Sequence, residues 1–117
     1  SLKTPYEIKT SGRILLIEDV NEKPYRIDGM LWQLRKAGKF RGVRGIVFGE
    51  MVHCHPGNEE GYKLEEVISD FFNNAGFPVM MNCPIGHGNE IWTLPLGVEA
   101  GLNTRTRSLR LAECGVV

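Results

Sequence analysis

Apolar residues along the chain fall into short runs and helical stripes rather than one long block. Arg13-Ile14-Leu15-Leu16-Ile17 reads as a continuous apolar run bounded by Gly12 and the acidic pair Glu18-Asp19. Such a run fits a strand buried on both faces, as in parallel sheets. After Asn21 and Pro24, the residues Ile27, Met30, Leu31 and Leu34 recur at helical spacing. Pro24 suits a first helical turn, and the Ala37-Gly38 step can end the helix. Residues 43–48 form a second, β-branched apolar run between Gly42 and Gly49, followed over 50–61 by a polar loop rich in His, Pro, Gly and Asn. Leu64, Val67, Ile68, Phe71, Phe72 and Ala75 then share one helical stripe, with Gly76 as its stop signal. Residues 77–81 read as a third short strand.

The order strand, helix, strand, helix, strand predicts a parallel sheet with right-handed crossovers. The last third changes character. Residues 91–94, 98–102 and 108–112 read as short strands separated by Pro95, Gly97 and the Asn103-Thr104 turn, and short strands on tight turns pair antiparallel. The expected fold class is α/β, a small parallel sheet with helices plus an antiparallel strand appendage. There is no internal repeat and no low-complexity segment.

At 117 residues the chain suits one domain. Hydrophobic residues at 42% and charged residues at 24% match an ordinary globular protein. Fourteen basic and fourteen acidic side chains cancel, and no arginine-rich stripe restores a local attraction, so nucleic acid is not an expected partner. No apolar stretch approaches the roughly 20 residues that cross a bilayer, so no membrane is expected either. The first residues lack the charged leader and apolar core of a signal peptide. Cys54, Cys83 and Cys114 are odd in number and far apart, which favours a reducing cytoplasm over a disulfide-stapled scaffold. A chain opening at Ser1 rather than Met is expected of a processed product or of a piece of a longer protein. Residues 1–12, polar and Pro-containing, read as an interdomain linker, and 13–117 as the domain.

Two residues stand where chemistry is expected. Glu18 ends the first strand, and ligands of open α/β sheets gather beyond the carboxyl ends of strands. Its alternative role is a surface pairing with Lys23 or Arg26. His87 lies in Cys83-Pro84-Ile85-Gly86-His87-Gly88, just after the third strand, where flanking glycines leave the imidazole approachable. Its alternative role is that of a loop histidine between turn glycines. A catalytic base also needs an orienting acid on its other nitrogen. A shared crevice would make Glu18 and His87 such a pair, but a nucleophile would still be required. None of Ser1, Ser11, Ser69 and Ser108 stands at a tight strand-to-helix elbow, and Cys83 reads equally well as a buried strand-end residue. His53-Cys54-His55, with Cys83 or His87, is a competing zinc-ligand set, although adjacent residues rarely point at one ion. Asn58, Glu59 and Glu60 read as solvated loop.

The residues also resemble a known family. Ile14 through Asp28 is similar to the "LxEDxxExPYRID" signature of the C-terminal half of LD-carboxypeptidases. Gly45-Ile46-Val47-Phe48-Gly49 followed by Cys54 resembles that family's next strand and loop. Pro84-Ile85-Gly86-His87-Gly88 and Thr93-Leu94-Pro95-Leu96-Gly97 resemble its "PxGHG…TLPLG" ending. The likeness runs from about Thr4 to about Leu111. It implies a swivelling β/β/α domain and a serine peptidase whose Ser–His–Glu triad is split between two domains. The acid position falls on Glu18 rather than its neighbour Asp19, the histidine on His87, and the serine on an N-terminal domain absent from this sequence. Glu22, Tyr25 and Arg26 match the signature as helix-start and supporting residues; Trp32 and Trp92, near the matched motifs, either shape the substrate cleft or pack, with packing preferred. Implied partners are that N-terminal domain and a murein tetrapeptide cut at the L,D bond to its terminal D-amino acid, with a homodimer compatible. The branch of microcin C immunity hydrolases implies a peptidyl-nucleotide substrate instead. No cofactor or metal is required, and the isolated chain is expected to be inactive.

Overall fold

In a computed structural model describing residues 1–57 and 61–113, the sheet is built from the apolar runs. Strands β1 (Ile14–Ile17), β2 (Gly45–Phe48) and β3 (Val79–Met80) form a parallel sheet in the order β1-β2-β3. Ile14 pairs with Gly45, Ile17 with Phe48, and Ile46 with Val79. Helices α1 (Pro24–Lys36) and α2 (Leu64–Phe72) connect the strands. The antiparallel hairpin of β4 (Ala100–Asn103) and β5 (Ser108–Leu111) forms a separate two-stranded sheet.

Strand alternation sorts the core into two faces. Leu15, Ile46 and Phe48 pack with Ile27 and Leu31 of α1 and Leu64, Ile68, Phe71 and Phe72 of α2. The intervening residues Ile14, Leu16, Val47 and Met80 face the other way, against Cys83, Ile85, Leu94, Leu102 and Leu109. The central strand β2 is therefore buried on both faces, which explains its unbroken apolar sequence.

Local chemistry sets the boundaries. Pro24 opens α1, and Gly38, at φ 74°, closes it with its N–H on the Arg35 carbonyl at 3.0 Å. At the start of α2 the Glu66 carboxylate accepts the Lys63 N–H at 2.9 Å. The helix stops at Phe72 rather than running on to Ala75, because Asn73-Asn74 favours a turn; Ala75 still packs on the core. The third strand is shorter than 77–81, since Pro78 has no N–H to give and Asn82 turns left-handed at φ 57°. The run 91–94 is not a strand. It makes one backbone bond, Trp92 N–H to the Pro84 carbonyl at 2.9 Å, and Ile91 and Trp92 remain exposed. Without an adjacent edge, β-forming residues have no ladder to join. The hairpin starts at Ala100 rather than 98, after the left-handed Gly97, and Asn103 Oδ1 accepts the N–H groups of Arg105 and Thr106 at 3.0 and 3.1 Å in its turn. Asn58, Glu59, Glu60 and Cys114 lie outside the described residues.

One side chain ties the helix layer together. The last turn of α2 contains no basic residue of its own, yet its carbonyls carry the negative end of the helix dipole. Arg35 of α1 supplies the cation: Nη2 donates to the Phe71 carbonyl at 2.7 Å, and the guanidinium lies 3.8 Å from the Phe71 ring centroid and 4.8 Å from that of Trp32. Trp32, Phe40 and Phe72 in turn surround Phe71 edge-on. Arg35→Ala is expected to lower the unfolding free energy in urea by about 2 kcal/mol, from the lost hydrogen bond and cation–π contact together. Arg35→Lys should recover only part of it, lacking the planar fork. Stability unchanged in both variants would show that the contact contributes nothing.

Candidate functional site

The site grows from the carboxyl ends of the three parallel strands, which stay connected beyond their formal limits. Gly49 N–H donates to the Ile17 carbonyl at 2.9 Å, and Glu50 N–H to the Ile85 carbonyl at 2.9 Å. Isolated parallel bridges join Val20 to Val52 and Glu50 to Gly86. The chain after β3 is thus drawn back against the extension of β2, so the loop bearing His87 lies one strand from the end of β1 rather than two.

Glu18 follows Ile14 and Leu16 in the strand alternation and leaves β1 on the face away from the helices. Its side chain crosses β2 where Gly49 stands and reaches the loop at Gly86. A Cβ at Gly49 would strike the Ile85 carbonyl and press on Glu18 Cγ at 3.1 Å. A Cβ at Gly86 would meet Glu18 Cγ at 2.5 Å and Oε1 at 2.6 Å. Gly86 also sits at φ 123°, where a side chain is strained. Two glycines therefore form the slot that Glu18 fills.

At the end of this slot, Glu18 Oε1 lies 2.8 Å from His87 Nδ1. A carboxylate only accepts, so the ring donates from Nδ1 and leaves Nε2 free. The Glu18 side chain is 20% exposed and that of His87 67%: the acid is held inside the slot and the imidazole presented outward. The structure brings the two sequence-nominated residues together.

The rival assignments resolve on the same geometry. Asp19 Oδ1 accepts the N–H of Val20 at 2.8 Å, a turn-forming contact at the strand end. Arg26 pairs with Glu22 at 2.6 Å, one helical turn away, rather than with Glu18. Cys54 is buried, its thiol directed at the carbonyls of Asp19 and Val52 at 3.5 and 3.6 Å, while the exposed His53 and His55 rings stand edge to face at 6.4 Å. Among the described residues no group of three or more His, Cys, Asp and Glu side chains could hold a metal, so the zinc alternative finds no geometry. Burial pushes the thiols of Cys54 and Cys83 up, away from the thiolate a nucleophile needs. Ser69 is exposed on α2, and Ser108 bonds Thr106 at 2.8 Å. Trp32 packs on Phe71, whereas Trp92 is exposed on the stretch after His87.

One residue beside the pair escaped the sequence reading. The Glu50 carboxylate occupies the place where a Cβ at Gly88 would be, and its Oε2 is buried with no hydrogen-bond partner among the described residues. The signal was its position alone, since Glu50 lies two residues beyond the last residue of β2. Among the described residues no helix is long and apolar enough to cross a membrane.

Comparison with known proteins agrees with this architecture. Residues 1–102 match the family described as the LD-carboxypeptidase C-terminal domain. The chain is 38% identical over 117 residues to a probable murein peptide carboxypeptidase of Bacillus subtilis, covering 99% of this chain and 36% of the relative. The crystal structure of a muramoyltetrapeptide carboxypeptidase from Oxalobacter formigenes superposes with a TM-score of 0.76 at 29% identity, over 97% of this chain and 38% of that one. The apo structure of the microcin C7 self-immunity protein MccF superposes with a TM-score of 0.79 over 92% of this chain and 32% of that one; at 21% identity it speaks for the fold alone. The chain thus spans little more than a third of the length of the relatives it matches. The chain belongs to the LD-carboxypeptidase family, of which it matches the C-terminal domain.

Proposed function

We propose that this chain is the acid–histidine part of a serine-type LD-carboxypeptidase. Glu18 and His87 are two members of a Ser–His–Glu triad, and an N-terminal domain of the same protein supplies the serine. The observation that carries the reading is the 2.8 Å approach of Glu18 Oε1 to His87 Nδ1 in a chain of this family. The exposed side chains of Ile91, Trp92 and Leu96, on the stretch after His87, offer that domain an apolar surface to cover. The substrate is a murein tetrapeptide, cut in the cytoplasm at the L,D bond to its terminal D-amino acid. The murein peptide carboxypeptidases among the relatives favour it over a peptidyl-nucleotide.

The roles follow from the free ring nitrogen. Nε2 of His87 takes the serine proton as the hydroxyl attacks the scissile carbonyl, then returns it to the leaving amine. Glu18 fixes the ring with its proton on Nδ1 and stabilises the imidazolium while it exists.

In the two-domain protein, His87→Ala is expected to lower kcat on an L,D-tetrapeptide by about 10⁴-fold or more, and Glu18→Gln by about 10⁴-fold. Wild-type turnover in either variant would remove the assigned role. The 117-residue chain alone should release no D-amino acid; release by it would place the nucleophile within this sequence. A second measurement tests the slot. Gly86→Ala puts a methyl group on the Glu18 carboxyl and should reduce kcat about a hundredfold with little change in KM. Unaltered kcat there would mean that the Glu18 path is not needed.

A further inference from the structure

The loop around His87 contains complementary loose ends. Residues 88–91 donate no backbone hydrogen bond to the described residues, and no side chain among these accepts from them. Against Gly88, at the start of this stretch, lies the Glu50 carboxylate, whose buried Oε2 has no donor among the described residues. An unpaired buried carboxylate oxygen is costly, and native structures rarely retain one without a use. Free amides and a free acceptor side by side are a hydrogen bond waiting for a small adjustment of the loop. Glu50 is also well anchored for such a task. Its own N–H is fixed on the Ile85 carbonyl at 2.9 Å, and it bridges Gly86 at the root of the loop.

We propose that Glu50 is a positioning residue for His87: its carboxylate accepts the backbone N–H of Gly88 or its neighbours and ties the outer limb of the loop to the end of β2. Glu18 then fixes the imidazole, and Glu50 fixes the backbone that presents it. Gly88 is required because a side chain there would occupy the place of the Glu50 carboxylate. The catalytic consequence rests on the function proposed above, whereas the loop geometry does not.

Two measurements separate these. The first is made on the 117-residue chain, labelled with ¹⁵N. Wild type should show His87 protonated mainly at Nδ1 and slow exchange of the Gly88 amide. Glu50→Ala should raise that exchange about tenfold, as expected for one lost charged-acceptor hydrogen bond, and relax the ring toward the tautomer mixture of free imidazole. Glu50→Gln keeps an acceptor oxygen and should stay close to wild type. Gly88→Ala, which evicts the carboxylate from the other side, should resemble Glu50→Ala and supplies the same readout if that variant does not fold. Wild-type exchange and tautomer in both alanine variants would overturn the proposal, as would a Glu50→Gln chain no better than Glu50→Ala. Glu18→Gln serves as the control, since it should disturb the tautomer without freeing the Gly88 amide.

The second measurement is turnover by the two-domain protein. Glu50→Ala should lower kcat about a hundredfold at nearly constant KM, the mark of a misplaced base, with Glu50→Gln restoring most of it. An inactive wild type would refute the hydrolase reading and leave the loop result standing. Loss of amide protection with undiminished kcat would overturn the positioning role.

Discussion

Everything at the site depends on a carboxylate from an edge strand meeting an imidazole on a loop that starts two strands away. Neighbouring strands lie about 4.8 Å apart, so β1 and β3 are separated by about 10 Å, more than a glutamate side chain comfortably spans. Two features close the gap. The loop folds back over the sheet through the Glu50–Gly86 bridge, and the strand between carries no side chain at Gly49. Glu18 needs only to cross one glycine to reach Nδ1 at 2.8 Å. The sheet order, the bridge and the two glycines are parts of one solution to a problem of distance.

That contact contributes little to holding the fold together. The His87 side chain is two-thirds exposed, and exposed ion pairs are worth little in water. Stability resides on the other face, where Ile46 and Phe48 are fully buried and the aromatic cluster around Phe71 is clamped by Arg35. The separation has a physical logic. On the function proposed above, His87 has to offer a nitrogen to a reacting group, and such a residue cannot also be buried in the core. Its orientation therefore comes from one partner, itself braced by a rigid sheet.

Much of this was legible in the sequence, for reasons that differ by element. The runs 13–17 and 43–48 and the stripe from Leu64 to Ala75, within which the strands 14–17 and 45–48 and the helix 64–72 form, announce themselves because burial on both faces or along one stripe leaves a periodic trace. The third strand and the stretch 91–94 were harder. Their residues prefer extended backbone, but whether a strand forms depends on a partner edge that local composition does not encode; Val79 and Met80 found β2, and Ile91 to Leu94 found nothing comparable. The Glu18–His87 contact was foreseeable from motif order and from strand-end position, and Glu18 was preferred to Asp19 because it fills the acid position of the family signature. Glu50 stayed hidden, because an acid after a strand looks like any solvated loop residue until its carboxylate is seen against Gly88.

The glycines show why a motif such as Gly-His-Gly is easily misread. Taken as a string, it signals a pliable loop. In space, Gly86 and Gly88 leave no such freedom, for the volume each side chain would take is already filled, by Glu18 in one case and Glu50 in the other. Gly29, Gly76 and Gly101 have open space at the same position, and there a methyl group would meet nothing. A glycine beside open space permits motion; a glycine whose missing side chain is replaced by another residue's carboxyl permits contact. The second kind makes a loop more determined, not less, which is what the base proposed at His87 requires if its direction is to be set before a substrate arrives.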